Sequence, residues 1–115
     1  MTTKEHRKHN RIDSLNLLHY ACIDQNNASV GQGMGRTLDV SESGIRLETH
    51  VPLDTDHVVV LTIGLEDHTV QIKGQVVHLQ PNDRGRFEAG INFFEIGQSE
   101  LGILKQYIAL FESLR

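Results

Sequence analysis

Apolar and polar residues alternate along most of this 115-residue chain, and the alternation marks out short strands. In SLNLLHYACI (14–23), Leu15 and Leu17 share one face of an extended chain, and Leu18, Tyr20 and Cys22 share the other. That predicts a largely buried strand. DQNNASVGQG (24–33) is rich in Asn, Asp, Ser and Gly and reads as a loop. MGRTLDV (34–40) and GIRLET (44–49) read as short strands joined by a tight turn at SES. In the second of these, Ile45 and Leu47 point one way and Arg46 and Glu48 the other. VPLDTD, which contains Pro52, is a loop, and HVVVLTIGL (57–65) is a β-branched strand. EDH makes a short turn before TVQIKGQVVHLQ (69–80), where Val70, Ile72, Gly74 and Val76 alternate with Gln71, Lys73 and Gln75. Val77 breaks that phase and predicts a bend or bulge near Gly74. PNDRG (81–85) is a turn signal, and RFEAGINFF (86–94) is a sixth strand.

The period then changes. Leu101, Leu104, Ile108 and Phe111 are spaced by three or four, with Tyr107 and Leu114 beside them. This predicts one apolar stripe on a helix from about Ser99 to Leu114. Such a stripe must pack on something, and an end of the β-structure is the surface on offer. Six short strands followed by one helix predict an antiparallel barrel or sandwich, folded as a single domain.

A chain of this length buries a core without disulfides or metals. Its longest apolar run is VVVL at 58–61, far short of a membrane span, and no secretory signal precedes the first strand. A lone Cys22 in an apolar stretch packs rather than pairs, and these features together predict a cytoplasmic protein.

Charge changes the picture at the N-terminus. The chain is net −4, yet Lys4, Arg7, Lys8 and Arg11 against Glu5 give the first eleven residues +3, leaving −7 for the rest. Residues 1–12 read as a flexible basic arm and 13–115 as the β-domain with its helix. Arg7 and Arg11 are four apart, so they share a face whether the arm is helical or extended. Two guanidiniums on one side suit a phosphate, or the carbonyl and N7 edge of guanine, and their flat faces stack on bases. In DVSESG (39–44), Asp39 and Ser41 alternate to one face at a strand end. Asp39 can accept from the N1 and N2 edge of a guanine, and Ser41 can donate to a phosphate or to backbone. Gly44 permits a backbone geometry that other residues resist and admits close approach by a ligand.

Other chemistries fit less well. GQGMG (31–35) lacks the spacing of a dinucleotide-binding loop, and a strand rather than a helix follows it. Seven histidines show no structural-zinc spacing, so no metal is expected. No strained nucleophile turn accompanies Asp39 and Ser41, so no catalytic residue is assigned. An acidic body with few aromatics lacks the basic, stacking groove of a nucleic-acid-binding barrel.

RKHNR at 7–11 matches the R-x-x-x-R signature of the PilZ domain family, and DVSESG at 39–44 matches its D/N-x-S-x-x-G signature. GQVVH (74–78) resembles the family's G-x-V-V segment and GINF (90–93) its G-V-x-F strand, so the resemblance runs from about Glu5 to Leu114. It implies a six-stranded antiparallel β-barrel that binds the bacterial second messenger cyclic di-GMP and relays it to a downstream protein. It implies that the arm wraps the ligand, with Arg7 and Arg11 on guanine and phosphate and Lys8 on a phosphate. Asp39 and Ser41 would read a guanine edge and fix the arm, and Gly44 would shape the turn. No cofactor beyond the ligand and no catalysis are implied. His6 stands where an arginine is associated with uptake of a stacked ligand pair, so one molecule or two remain open. Ser43 replaces a glycine that many members carry, which a negative φ would accommodate. Relatives without the signatures act as protein–protein adaptors, the alternative function.

Overall fold

A strand with apolar residues at every second position hides them only where another layer, or closure of the sheet, covers that face. Closure does so here. In a computed structural model that describes residues 16–65 and 68–114, six strands form a closed antiparallel barrel. They are β1 (Leu17–Ile23), β2 (Ser29–Val40), β3 (Gly44–Thr49), β4 (Val58–Leu65), β5 (His68–Pro81) and β6 (Phe87–Phe94), followed by helix α1 (Gln98–Leu114). The order around the barrel is β1-β2-β3-β6-β5-β4. Two three-stranded meanders therefore meet along β3–β6 and along β1–β4. The alternating residues that point inward, among them Leu18, Tyr20, Leu47, Leu61, Ile63, Ile72 and Ile91, form one buried core.

Strand β2 begins at Ser29, five residues before the predicted start, and the loop shrinks to a turn at 24–28. Asp24 builds that turn. Its carboxylate accepts from the backbone N–H of Asn26 and Ala28 at 2.9 and 3.0 Å, and Asn27 takes a positive φ of 65°. The glycines beyond it serve packing. A Cβ on Gly33 would lie 3.0 Å from the Tyr20 hydroxyl, and one on Gly35 would lie 2.6 Å from Leu47 Cγ. Large inward side chains on the neighbouring strands occupy the space that β2 leaves empty.

The bulge of β5 falls at Val77 itself rather than near Gly74. Val76 pairs with Ile91 and His78 with Gly90, so Val77 is the extra residue, and it is 56% exposed. Gly74 is instead a point of close approach, because a Cβ there would collide with Ile91 Cγ2. Strand β1 starts at Leu17, the first described residue with a partner on β2, and residues 14 and 15 of the predicted strand lie outside the described residues.

Helix α1 agrees with the predicted span, but its buried stripe is centred on Leu104, Tyr107 and Phe111. Tyr107, placed beside the stripe by spacing alone, lies in its middle. Its hydroxyl shares a buried 2.9 Å hydrogen bond with Thr37 Oγ1 on β2, so the most buried aromatic of the helix keeps its polar tip satisfied. Burial pushes the Tyr107 phenol up, and the Thr37 hydrogen bond opposes this. The helix packs on β4 and β5. Among the described residues, no helix is long and apolar enough to cross a membrane. Cys22 is buried in the core, and burial, with a contribution from Asp54, raises its thiol pKa.

One charged residue is also buried. Glu48 points outward from β3, yet its side chain is 2% exposed because Arg36, Arg84 and Arg86 close over it at 3.2, 3.9 and 3.3 Å. Asn82 donates to its other oxygen at 2.7 Å. This clamp ties β2 and β3 to the β5–β6 turn. Burial pushes the Glu48 pKa up, but the hydrogen bonds from Asn82, Arg36 and Arg86 and the charge of Arg36 outweigh it, so the carboxyl titrates below its ordinary 4.5. A depressed folded pKa gives stability that is full above 4.5 and lost as pH falls through the folded value. Glu48→Gln is expected to lower stability at neutral pH by about 1–3 kcal/mol, the arginines being partly exposed and screened. The difference from wild type should shrink as pH falls below about 4.5, read by urea unfolding across a pH series.

Candidate functional site

A short turn joins β2 to β3, and serine side chains shape it. The Ser41 N–H donates to the Gly44 carbonyl at 2.9 Å. Ser41 Oγ accepts from the Ser43 N–H at 3.3 Å and shares a 3.0 Å hydrogen bond with Ser43 Oγ. The Ser43 carbonyl accepts from the Phe93 N–H at 2.9 Å, which fastens the turn to β6. Ser43 does not take a positive φ, so a side chain is accommodated where a glycine was the alternative.

Gly44 does not take a positive φ either. Its role is close approach: a Cβ there would collide with the backbone carbonyl oxygen of Ile91. The expectation that Gly44 supplies an unusual turn geometry is therefore corrected. Glycine at this position lets β3 lie against β6, where Gly44 pairs with Asn92.

An open cleft of about 270 Å³ lies over this junction, lined by Asp39, Ser41, Ser43, Gly44, Arg46, Gly90 and Asn92 among others. A row of positions on neighbouring strands runs through it and on to β5. Asp39 on β2 is opposite Arg46 on β3, Arg46 is opposite Gly90 on β6, and Gly90 is opposite His78 on β5. Asp39 and Arg46 are exposed at one end of the row and His78 at the other. Gly90 keeps the floor between them low, since a Cβ there would already touch the Cβ of His78 at 3.3 Å. Asp39 Oδ1 accepts from the Val40 N–H at 3.0 Å, which orients the carboxylate at the rim.

The structure thus gathers Asp39, Ser41 and Gly44 in one cleft. Arg7, Lys8 and Arg11, the predicted arm residues, lie outside the described residues. Arg46, Gly90 and Asn92 were not anticipated as site residues. The outward phase of Arg46 in GIRLET was a legible signal, whereas the position of Gly90 and Asn92 depends on the β3–β6 register. A carboxylate, two hydroxyls and a guanidinium over a bare glycine floor can hydrogen-bond a flat polar ring on several edges. The cleft is open and shallow beside a typical enclosed ligand pocket, so a ligand in it needs covering from above. Among the described residues, no group of three His, Cys, Asp or Glu side chains converges on a metal position.

Comparison with known proteins places this geometry. The family model described as PilZ domain matches residues 5–110. No curated protein matches the sequence. Among solved structures, the PilZ domain of CeSA from a cellulose-synthesizing bacterium superposes with a TM-score of 0.58 at 11% identity, over 84% of this chain and 93% of that one. The K. pneumonia MrkH–c-di-GMP complex superposes with a TM-score of 0.60 at 16% identity, over 87% of this chain and 48% of that one. For the Bacillus subtilis inhibitor of motility MotI/DgrA the values are 0.60 and 17%, over 84% and 47%. The chain spans about half the length of MrkH and MotI. At these identities the likeness is one of fold.

Gly44→Ala is expected to wedge β3 from β6 beneath the cleft and to destabilise the barrel by about 1–3 kcal/mol, the usual range for overpacking. Denaturant unfolding of the variant beside wild type measures it.

Proposed function

The chain belongs to the PilZ domain family, and from that premise we propose that it is a receptor for cyclic di-GMP that binds the dinucleotide in the cleft over the β2–β3 turn. The observation that carries this reading is the convergence of Asp39, Ser41 and Gly44 on one open surface cleft with a glycine floor. The presence of a c-di-GMP complex among its structural neighbours supports it. Asp39 accepts from the N1–H and N2–H edge of a guanine, and Ser41 donates to the ligand or holds the arm. Arg7 and Arg11 close over the ligand as guanidinium forks on base and phosphate, while Lys8 meets a phosphate as a point charge.

Energetics require the arm contacts to form together. Fixing each residue of the arm costs about 1–2 kcal/mol of backbone entropy. Each charge-assisted hydrogen bond returns about 1.5–3 kcal/mol. One contact therefore does not hold the arm down, and several do. The closed arm presents a new surface whose contact with a downstream protein carries the signal, in the cytoplasm and without catalysis.

Isothermal titration with cyclic di-GMP, with GTP and GMP as controls, tests the receptor reading. Selective binding at micromolar or tighter affinity is expected, with the stoichiometry giving one ligand or a stacked pair. Absence of binding by folded protein overturns it and leaves the adaptor function. Arg11→Ala is expected to weaken binding at least tenfold, about 1.4 kcal/mol, with the unfolding midpoint unchanged. Affinity should also fall with added salt.

A further inference from the structure

We propose that Arg46 reads the O6 and N7 edge of a guanine in the cleft and so acts as a specificity-determining residue beside Asp39. This inference rests on the reading of the cleft as a cyclic di-GMP site.

The register supplies the geometry. Arg46 on β3 is directly opposite Asp39 on β2, and side chains at such opposed positions start about 4.5–5.5 Å apart at Cβ. On its other side Arg46 faces Gly90, which has no side chain. The guanidinium is therefore flanked by a carboxylate on one strand and by open floor on the next.

Commitment of the neighbouring cations singles out Arg46. Arg36, Arg84 and Arg86 are all drawn onto the buried carboxylate of Glu48. Arg46 lines the cleft, is exposed, and makes no ion pair among the described residues. Its fork is available to a ligand without breaking a structural contact.

Complementarity supplies the selectivity. Guanine offers N1–H and N2–H donors on one edge and the O6 and N7 acceptors on the next. A carboxylate has acceptors only and a guanidinium donors only, so Asp39 and Arg46 together match both edges. A bidentate guanidinium on O6 and N7 is a strong form of guanine recognition. Adenine turns an N6 amine donor toward the same guanidinium and an N1 lone pair toward the same carboxylate, which leaves one repulsive contact on each side.

A guanidinium here could instead serve the phosphates, and the chemistry separates the two roles. A base-reading fork needs two donors in one plane, which lysine lacks. A phosphate contact needs mainly charge, which lysine keeps. Isothermal titration of the full chain and of its Arg46→Gln and Arg46→Lys variants, each with cyclic di-GMP and with its 7-deazaguanine analogue that lacks N7, provides the test. Wild type should bind the analogue at least fivefold more weakly than cyclic di-GMP. Both variants should bind cyclic di-GMP at least tenfold more weakly than wild type and should no longer distinguish the two ligands. Unfolding midpoints should be unchanged, since Arg46 is exposed. Equal affinity of wild type for both ligands, or recovery of wild-type affinity by Arg46→Lys, overturns base reading. Failure of wild type to bind cyclic di-GMP at all overturns the receptor reading itself, and this inference with it.

Discussion

The close approach of β3 to β6 is the constraint on which this barrel and its cleft both depend. Each three-stranded meander, β1–β2–β3 and β4–β5–β6, would alone expose two unpaired edges. Pairing along β3–β6, from Gly44↔Asn92 to Thr49↔Phe87, removes one pair of edges. Pairing along β1–β4, from His19↔Thr62 to Ile23↔Val58, removes the other. Along the β3–β6 seam, and across β5–β6 as well, the strands are held so close to Ile91 that one glycine on each side of β6 excludes a side chain. A Cβ on Gly44 would meet the Ile91 carbonyl, and one on Gly74 would meet the Ile91 side chain. Ile91 itself is 1% exposed. The same seam makes the cleft, because Gly44 and Gly90 leave its floor bare. One packing solution thus closes the core on the inside and opens a ligand-sized surface on the outside.

Much of the fold was legible because alternation is a local property. Ile45 and Leu47 against Arg46, or the β-branched run from Val58, declare a face without reference to any partner. What escaped was set by partners distant in the chain. Gly33 reads as loop by composition, yet it belongs to β2, facing Tyr20, as Gly35 near the predicted strand start faces Leu47. The phase break in β5 was visible at Val77. Its association with Gly74 is mistaken, because that glycine answers to Ile91 on the neighbouring strand β6 and not to the bulge. Tyr107 was placed at the side of its helical stripe because spacing does not reveal a hydroxyl partner 70 residues away on β2.

The candidate site divides along the same line. Asp39, Ser41 and Gly44 form one short motif, so the sequence alone brings them together. Arg46 is two residues further on and shares their outward face, which period-two counting also captures. Gly90 and Asn92 belong to another strand, and only the β3–β6 register carries them to the cleft. The basis of Gly44 was misread for a physical reason: local sequence suggests a turn, whereas the steric demand comes from a carbonyl on β6.

If the cleft binds a dinucleotide as proposed, the distribution of cations explains why an acidic barrel would need a basic N-terminal segment. Six cationic side chains lie among the described residues: Arg36, Arg46, Lys73, Arg84, Arg86 and Lys105. Glu48 holds three of them, and Lys73 is 3.7 Å from Glu95. Lys105 is on the helix. Only Arg46, among the described residues, brings positive charge to the lining of the cleft, and Asp39 stands opposite it. The cleft floor is thus close to neutral, on a body that carries −7 beyond residue 11. A dinucleotide with two phosphates gains little Coulombic attraction from such a floor, and screening limits help from distant charges to about 8 Å at physiological salt. On the proposed reading the phosphates would have to be met by cations from outside the cleft, and Lys4, Arg7, Lys8 and Arg11 are a cluster the sequence provides. In this proposed division of labour the barrel would supply shape and base complementarity, and the N-terminal residues charge. On the proposed reading, recognition and signalling would be a single event, because the residues that neutralise the ligand would also be those that present the new surface.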